Sequence, residues 1–211
     1  ISYGITYIGS SAFRYCYSLT KVDMPDSVTS VGSYLFYGCS SLAEVSLGSG
    51  ITEIKSATSY SYEGMFQNCT SLTSITLPES VTSIGDKAFY KCTDLTSITL
   101  PEGVTSIGSS AFYECSGLTS ITIPESVTSI GSYAFYYCTS LTSITIPEGV
   151  TSIGYEAFRN CTSLADVCYL GSAEQWKAIE IGSFNESLTN ATLHYYDANG
   201  FCIAHEGDDN Y

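Results

Sequence analysis

The sequence predicts a repeat solenoid of short parallel strands, and three linked periodicities predict it. Cys16, Cys39, Cys69, Cys92, Cys115, Cys138 and Cys161 follow one another at 23 residues, with one gap of 30. Each has a Phe three residues before it (Phe13, Phe36, Phe66, Phe89, Phe112, Phe135, Phe158) and a Leu three residues after it (Leu19, Leu42, Leu72, Leu95, Leu118, Leu141, Leu164). Recurring apolar positions at a fixed period of about 20 to 30 residues mark units that bury their apolar face only against their neighbours. The array covers 1–163, as a partial first repeat 1–18, repeats 19–41, 42–71 (with an insertion), 72–94, 95–117, 118–140 and 141–163. A terminal unit, 164–196, and a tail, 197–211, complete the chain.

Within the copy 118–140, Leu118, Ile121 and Ile123 face inward and Ser120 and Thr122 outward, by the two-residue period of a strand. Pro124 has no N–H for a ladder and ends this strand. Val127-Thr128-Ser129-Ile130 reads as a second short strand, and Gly131 as a corner where positive φ is cheap. Ala134 to Cys138 is expected to form one helical turn that points Phe135 and Cys138 inward.

The unit L-x-S-I-T-(I/L)-P-E-(S/G)-V-T-S-I-G-x-x-A-F-x-x-C, nearly unchanged from Leu72 to Asn160, resembles the BspA-like leucine-rich repeat family of bacterial surface proteins and some parasitic protists. The resemblance covers about residues 1–163. The segment from Asp166 to Ile179, with Asn185 to Tyr195 after it, resembles a terminal unit that closes such arrays. It implies a leucine-rich-repeat-like, right-handed array of short parallel strands with brief helical turns, closed by a C-terminal capping unit with a short helix. It also implies a curved, non-catalytic scaffold, secreted or on the cell surface, used in adhesion. Function transfers only loosely, because the motifs specify a fold and not a site.

Three departures from the repeat stand out. In the 30-residue unit the distance from Ile54 to Phe66 is seven residues longer than in its neighbours, which places a surface loop near Lys55 to Glu63 with the recognition-loop composition Ser59-Tyr60-Ser61-Tyr62. A tolerated insertion without function explains it as well, because loops lengthen at small thermodynamic cost. At the other end, Ser172-Ala-Glu-Gln175 fits a capping box, so a short helix should bring Trp176 and Ile179 over the open end of the core, followed by a last strand with Leu188, Ala191 and Leu193 inward. At the start, Ile5-Thr6-Tyr7-Ile8-Gly9 aligns with the second strand and nothing precedes it as a cap. The bare end of the core offers a surface for end-to-end self-association.

The periodic cysteines are expected to stack as free buried thiols, since their number is odd and a continuous ladder favours no pairing of rungs. Cys168 and Cys202 lie outside the ladder, near the only histidines, His194 and His205. A zinc site or a Cys168–Cys202 bridge can be drawn there, although Cys202-Ile-Ala-His205 is the one close ligand pair, so the expectation is neither.

Outward positions of the first strand read Lys21/Asp23, Glu44/Ser46, Ser74/Thr76, Ser97/Thr99, Ser120/Thr122, Ser143/Thr145, Asp166/Cys168 and Asn190/Thr192, a hydroxyl carpet with charged ends. Asp26, Glu79, Glu102, Glu125 and Glu148 form a carboxylate row that reads as a solvated edge, since calcium needs more oxygens than each rung supplies. Tyr37, Tyr90, Tyr113 and Tyr136 form a third row, a stacking surface where exposed and packing where buried. The candidate interaction surface is therefore Lys21, Asp23 and Glu44, taken to lie beside Tyr60 and Tyr62, together with Tyr90, Tyr113, Tyr136, Ser97, Thr99, Ser120 and Thr122.

With 21 acidic against 7 basic side chains the chain carries a formal charge of −14, which opposes nucleic acid and anionic membranes as partners. No apolar run approaches the ~20 residues that span a bilayer. Residue 1 opens inside a repeat, which reads as a piece of a longer protein. The repeats lack His, a phosphate-binding Gly loop and an H-E-x-x-H segment, so neither enzyme nor cofactor is expected. The reading that remains is an interaction module for an extended or multivalent protein or glycan, with a structural spacer presenting other domains as the alternative.

Overall fold

The computed structural model describes residues 1, 3–54, 63–196 and 202–204, with Tyr196 and Cys202–Ala204 described by their backbone alone. Each unit runs a three-sided circuit, and each side stacks on the same side of the next unit. The front is a sheet of strands from Lys21–Asp23 to Thr192–Tyr196, all parallel, with Cys202–Ala204 added antiparallel at its end. Its register is direct: Ser97, Ile98 and Thr99 lie beside Ser120, Ile121 and Thr122. The middle residue of each strand is buried and its neighbours face solvent, as the alternation predicts. The second side is a sheet of two-residue strands, in which Ile84, Ile107, Ile130 and Ile153 stack in one column.

The third side corrects the expected helical turn. Ala134 to Cys138 forms successive tight turns, with Ala134, Tyr136 and Cys138 donating their N–H to the carbonyls three residues back, Gly131, Tyr133 and Phe135. The alternate residues Tyr133, Phe135 and Tyr137 donate instead to the next unit, to Tyr155, Ala157 and Arg159, at 2.7–2.9 Å. Aiming alternate amides along the axis requires left-handed backbone at Tyr133 and Tyr137 (φ 60° and 58°), repeated at Ser110 and Glu114 and at Lys87 and Lys91. Non-glycine residues adopt this region at a cost, here offset by the ladder. A helix would have spent those amides within the unit. Rung spacing is thus set by backbone hydrogen bonds between units on all three sides.

Gly131 also departs from expectation, since its φ is not positive. A Cβ there would lie 2.6 Å from the backbone of Gly108 and Ser109, and the same holds at Gly108, Gly154 and Gly182, so this column is glycine because successive units approach too closely for a side chain. Each of the five prolines closes its corner in one way, its carbonyl accepting from the Val three residues on, as Val127 N–H to Pro124 O at 3.0 Å.

Inside, the Phe rings stack from Phe13 to Phe158 at centroid spacings of 5.0–5.5 Å. Each such contact contributes about 0.5–1.5 kcal/mol beyond area burial. The cysteines do more than fill space. Cys115 Sγ donates to the Phe89 carbonyl of the preceding unit at 3.1 Å, and Cys39, Cys69, Cys92, Cys138 and Cys161 repeat the bond at 2.9–3.2 Å. All seven are free, and all but the half-buried Cys16 are buried.

The terminal unit contains the expected helix, α1 (Ala173–Ala178), with both bonds of the Ser172/Gln175 capping box. Ile179 is buried, and Trp176 packs half-buried against Tyr169 at 5.3 Å. Closure is incomplete, since a cavity of about 630 Å³ remains, lined in part by Trp176, Ile181, Leu188, Leu193 and Tyr195. The last strand is offset by two residues from expectation. Leu188 sits in a second short helix, α2 (Glu186–Thr189), and Asp166 and Cys168 lie beside Thr192 and His194 rather than Asn190 and Thr192. The turn-side ladder ends on a side chain: buried Asn185 accepts from Phe158 N–H at 2.8 Å, where each earlier Phe meets a backbone carbonyl, and its amide donates to Gly154 O and Gly182 O. No helix among the described residues is long and apolar enough to cross a membrane.

Two predictions test this packing. Cys115→Ala should fold and lose about 1–2 kcal/mol, since it removes one donor and opens a small void, whereas Ile121→Asp should collapse several units by burying an unpaired charge. Urea melts of both variants measure the contrast. Asn185→Ala leaves the Phe158 N–H unpaired and should cost about 1–3 kcal/mol. Hydrogen exchange should then accelerate at Phe158 first and leave Phe89 protected.

Candidate interaction surfaces

The front sheet presents the expected hydroxyl rows. Ser74, Thr76, Ser97, Thr99, Ser120, Thr122 and Ser143 are exposed, and Thr145 is half-buried. One residue before each strand a second set of hydroxyls is spent internally, with Thr96 Oγ1 donating to Thr73 O and Thr119 Oγ1 to Thr96 O at 3.1–3.2 Å. At one end, Lys21 Nζ lies 2.9 Å from Glu44 on the neighbouring strand. That hydrogen bond and the opposite charges raise the Lys21 pKa and lower that of Glu44. Lys21, Asp23 and Glu44 do not lie beside the ends of the insertion. Ile54 ends a strand of the second sheet and Glu63 pairs with Arg14 at 2.9 Å on the turn side. Tyr60 and Tyr62 fall outside the described residues.

Tyr90, Tyr113 and Tyr136 are half-buried and stack on one another at 4.5 and 4.7 Å, with nearly parallel rings. Their ring faces are covered by each other, so they present edges and hydroxyls, not a platform. Burial is the main cause that raises the Tyr90 phenol and pushes that of Tyr113 up to about 12. Tyr37 stands apart, because Gln67 holds the row's position in the inserted unit. It meets Tyr15 edge-on, and Arg14 lies 4.9 Å from its ring.

A second aromatic set went unread in the sequence. Tyr133, Tyr155 and Phe184 follow the glycine column and meet edge to face at 5.5 Å; Tyr155 is 40% and Phe184 47% exposed, with Arg159 over Phe184 at 5.3 Å. Their signal was an aromatic residue one or two positions after Gly131, Gly154 and Gly182, where Gly9, Gly85 and Gly108 are followed by Ser, Asp or Lys and only Gly32 shares the feature, with Tyr34. The structure therefore separates the candidates into a front hydroxyl face and a turn-side aromatic face.

The carboxylate row Asp26, Glu79, Glu102, Glu125 and Glu148 is exposed, and only Asp26 shows a side-chain bond, to Ser49 N–H at 2.8 Å. Among the described residues no group of three or more His, Cys, Asp or Glu could hold a metal ion. Cys168 is disulfide-bonded, against the expectation of an unbridged terminal segment, and so is not a thiolate ligand. The Cys202 side chain and His205 lie outside the described residues. His194 instead pairs with Asp166, Nε2 to Oδ1, at 2.7 Å.

Six copies of the BspA type leucine-rich repeat region match residues 1–64 and 59–191. The chain belongs to the BspA-type leucine-rich repeat family. A leucine-rich repeat protein of T. pallidum is similar in structure, with TM-score 0.67 and 31% identity over 76% of this chain and 72% of that one. A leucine-rich cell surface protein of Faecalibacterium prausnitzii A2-165 gives TM-score 0.65 and 34% identity over 80% of this chain and 45% of that one. A leucine-rich repeat protein of Bacteroides ovatus ATCC 8483, at TM-score 0.66 and 24% identity over 92% of this chain and 61% of its own, shares the fold. The BspA-type chain thus spans less than half of one relative and under two thirds of another. Comparison with curated proteins gives no match.

Burial raises the thiol pKa values along the BspA-type ladder, whose cysteines are free and mostly buried, as expected. It pushes Cys39 up to about 11 and Cys161 up to about 12, and raises Cys92 and Cys138 well above the ordinary value. These groups stay protonated when folded and ionise near 8.5 when unfolded, so their contribution is whole below about pH 8.5 and is lost as pH rises toward the folded values. The urea midpoint should hold steady from about pH 7 to 8.5 and fall from about pH 9 to 12. A flat profile there would contradict the buried-thiol assignment.

Proposed function

We propose that this chain is a non-catalytic interaction module of a secreted or cell-surface protein, binding an extended protein or glycan through its front hydroxyl face. The observation that carries this reading is an uncharged window in a strongly acidic chain: from Ser74 to Thr145 the front rows hold only Ser and Thr, in direct register. Family membership supports an interaction role, and one relative is described as a cell surface protein. Each hydroxyl contributes a weak bond, about 0.5–1.5 kcal/mol at best, so affinity would come from many units or many copies acting together. The exposed Tyr155 and Phe184 offer a separate, more specific contact, since aromatic anchors dominate binding energy where they are accessible.

The experiment presents the chain, immobilised at several densities, to matrix proteins and a glycan array. Thr99→Lys/Thr122→Lys should abolish binding while the melting temperature is kept, Tyr155→Ala/Phe184→Ala should weaken it, and Tyr113→Ala/Tyr136→Ala should act only through stability. Binding that survives the Lys pair but fails in a variant lacking residues 56–62 moves the site to the insertion. No binding at any density favours the spacer reading.

A further inference from the structure

One column of side chains on the turn side varies from unit to unit while its backbone does not. It is the residue before each ladder cysteine, Tyr15, Gly38, Asn68, Lys91, Glu114, Tyr137 and Asn160, and each has left-handed backbone (φ 53–72°). Its larger members reach solvent: Tyr15 is 46% and Tyr137 43% exposed, and the side chains of Lys91 and Glu114 are 39% and 36% exposed. Beyond residues 1–7, every exposed large hydrophobic side chain among the described residues lies on this side or at its corner, namely Tyr15, Tyr17, Tyr137, Tyr155 and Phe184, and the front sheet has none. The charges here also balance. Arg14, Lys87, Lys91 and Arg159 stand against Glu63, Asp86, Glu114 and Glu156, in a chain whose formal charge is −14. Tyr, Phe and Arg without an excess of acid are the composition of protein interfaces.

We propose that the turn side is a dimer interface, in which two copies of this chain meet face to face and antiparallel about a two-fold axis between the units of Lys91 and Glu114. Net charge opposes the self-association of an acidic chain, so contact falls to the side that carries none. The axis sets the units of one copy against those of the other in reverse order. Lys91 Nζ lies 3.2 Å from Glu114 within one copy, and across the axis each faces the opposite charge of the second copy, giving a ring of four alternating charges in place of one exposed pair. Within this column no other register does so, because Lys91 and Glu114 are its only charged members.

The same register matches large groups with small ones. Tyr137 meets Asn68 of the second copy, and Gly38 meets Asn160. Tyr15, whose ring lies against Gly38, then comes opposite the unit of Tyr155 and Arg159 in the second copy, so the exposed aromatic groups at the two ends cover one another with a guanidinium between the rings. Seven units and the terminal one, about 4.8 Å apart, make this side ~38 Å long, and a contact about 20 Å across then reaches the ~800 Å² per partner of a standard interface. Both front sheets stay outside the contact, so the dimer carries two hydroxyl faces. The interface does not depend on either face binding a ligand, and it is separate from the exposed Ile1, Tyr3, Ile5 and Tyr7.

Sedimentation equilibrium of the whole chain across a range of concentrations tests the proposal. The wild type should show a monomer in equilibrium with a dimer. Lys91→Glu places like charges around the axis and should raise the dissociation constant about ten-fold or more, as should Glu114→Lys, whereas the exchange Lys91→Glu/Glu114→Lys restores the alternation and should return it to within about three-fold of the wild type. Because the exchange also keeps the pair within one copy, it separates loss of contact from loss of fold. Tyr15→Ser/Tyr137→Ser should weaken the dimer, and Thr99→Lys/Thr122→Lys on the front face should leave it in place. A chain that is still monomeric at about 0.5 mM overturns the proposal. So does a dimer indifferent to both charge reversals, which puts the contact elsewhere, or one that the reversals break and the exchange does not restore.

Discussion

Everything in this array depends on backbone hydrogen bonds that run along its axis on all three sides. Two sides obtain them in the ordinary way, from parallel strands in direct register. The third does so by alternating right- and left-handed residues, so that every second amide points at the next unit and the others close tight turns within their own. Left-handed backbone at residues such as Tyr133 and Glu114 is unfavourable taken singly. It persists because the bond it enables satisfies an amide that would otherwise be orphaned beside the core. A unit cannot lose this geometry alone, since its donors are its neighbour's acceptors.

That constraint explains the choice of residue at the most regular positions. A small apolar side chain would fill the cysteine site, yet the Phe carbonyl it faces is buried and can take a second donor, and the thiol is the smallest near-apolar group that supplies one. The glycine column is set by the distance between units, not by φ. The tyrosine stack has the same origin, because Tyr90, Tyr113 and Tyr136 hold one position in successive units and lie face on face, so the spacing that holds the fold also hides their ring faces. Asn185 shows the dependence at its limit, where a side-chain amide imitates the backbone of a unit that does not follow.

Period, inward and outward faces, strand positions, corner prolines and the α1 capping box were all legible in the sequence, because each rests on local chemistry repeated many times. What was not legible depends on contacts between units. Ala134 to Cys138 looks helical from its residues alone, and only the neighbour's carbonyls make the turn form better. Gly131 reads as a φ signal until the adjacent backbone is in place. The two-residue offset of the last strand was hidden because a shift of two keeps the same face inward, so Leu188-x-x-Ala191-x-Leu193 fits the pattern as well as the true register does. That offset concealed His194 beside Cys168. The exposed aromatics Tyr155 and Phe184 are masked in the sequence by the more regular row after Phe, and regularity is here the mark of packing.

Regular stacking limits where function can reside in such a chain. A residue repeated in every unit is constrained by stacking first, and whatever it offers outward it offers many times over, which suits weak multivalent contact and nothing singular. A residue that breaks the period is released from that constraint where its side chain leaves the ladder, as at Lys91 and Glu114, or where the array is interrupted, at the insertion and at the terminal unit. Here the terminal unit holds the exposed Phe184, the disulfide-bonded Cys168, and His194 paired with Asp166, none of which the repeat needs. The division follows from the hydrogen-bond geometry itself: the uniform part fixes the spacing and direction of a long hydroxyl face, and a contact that requires one particular constellation can be built only where side chains leave the ladder or the ladder stops.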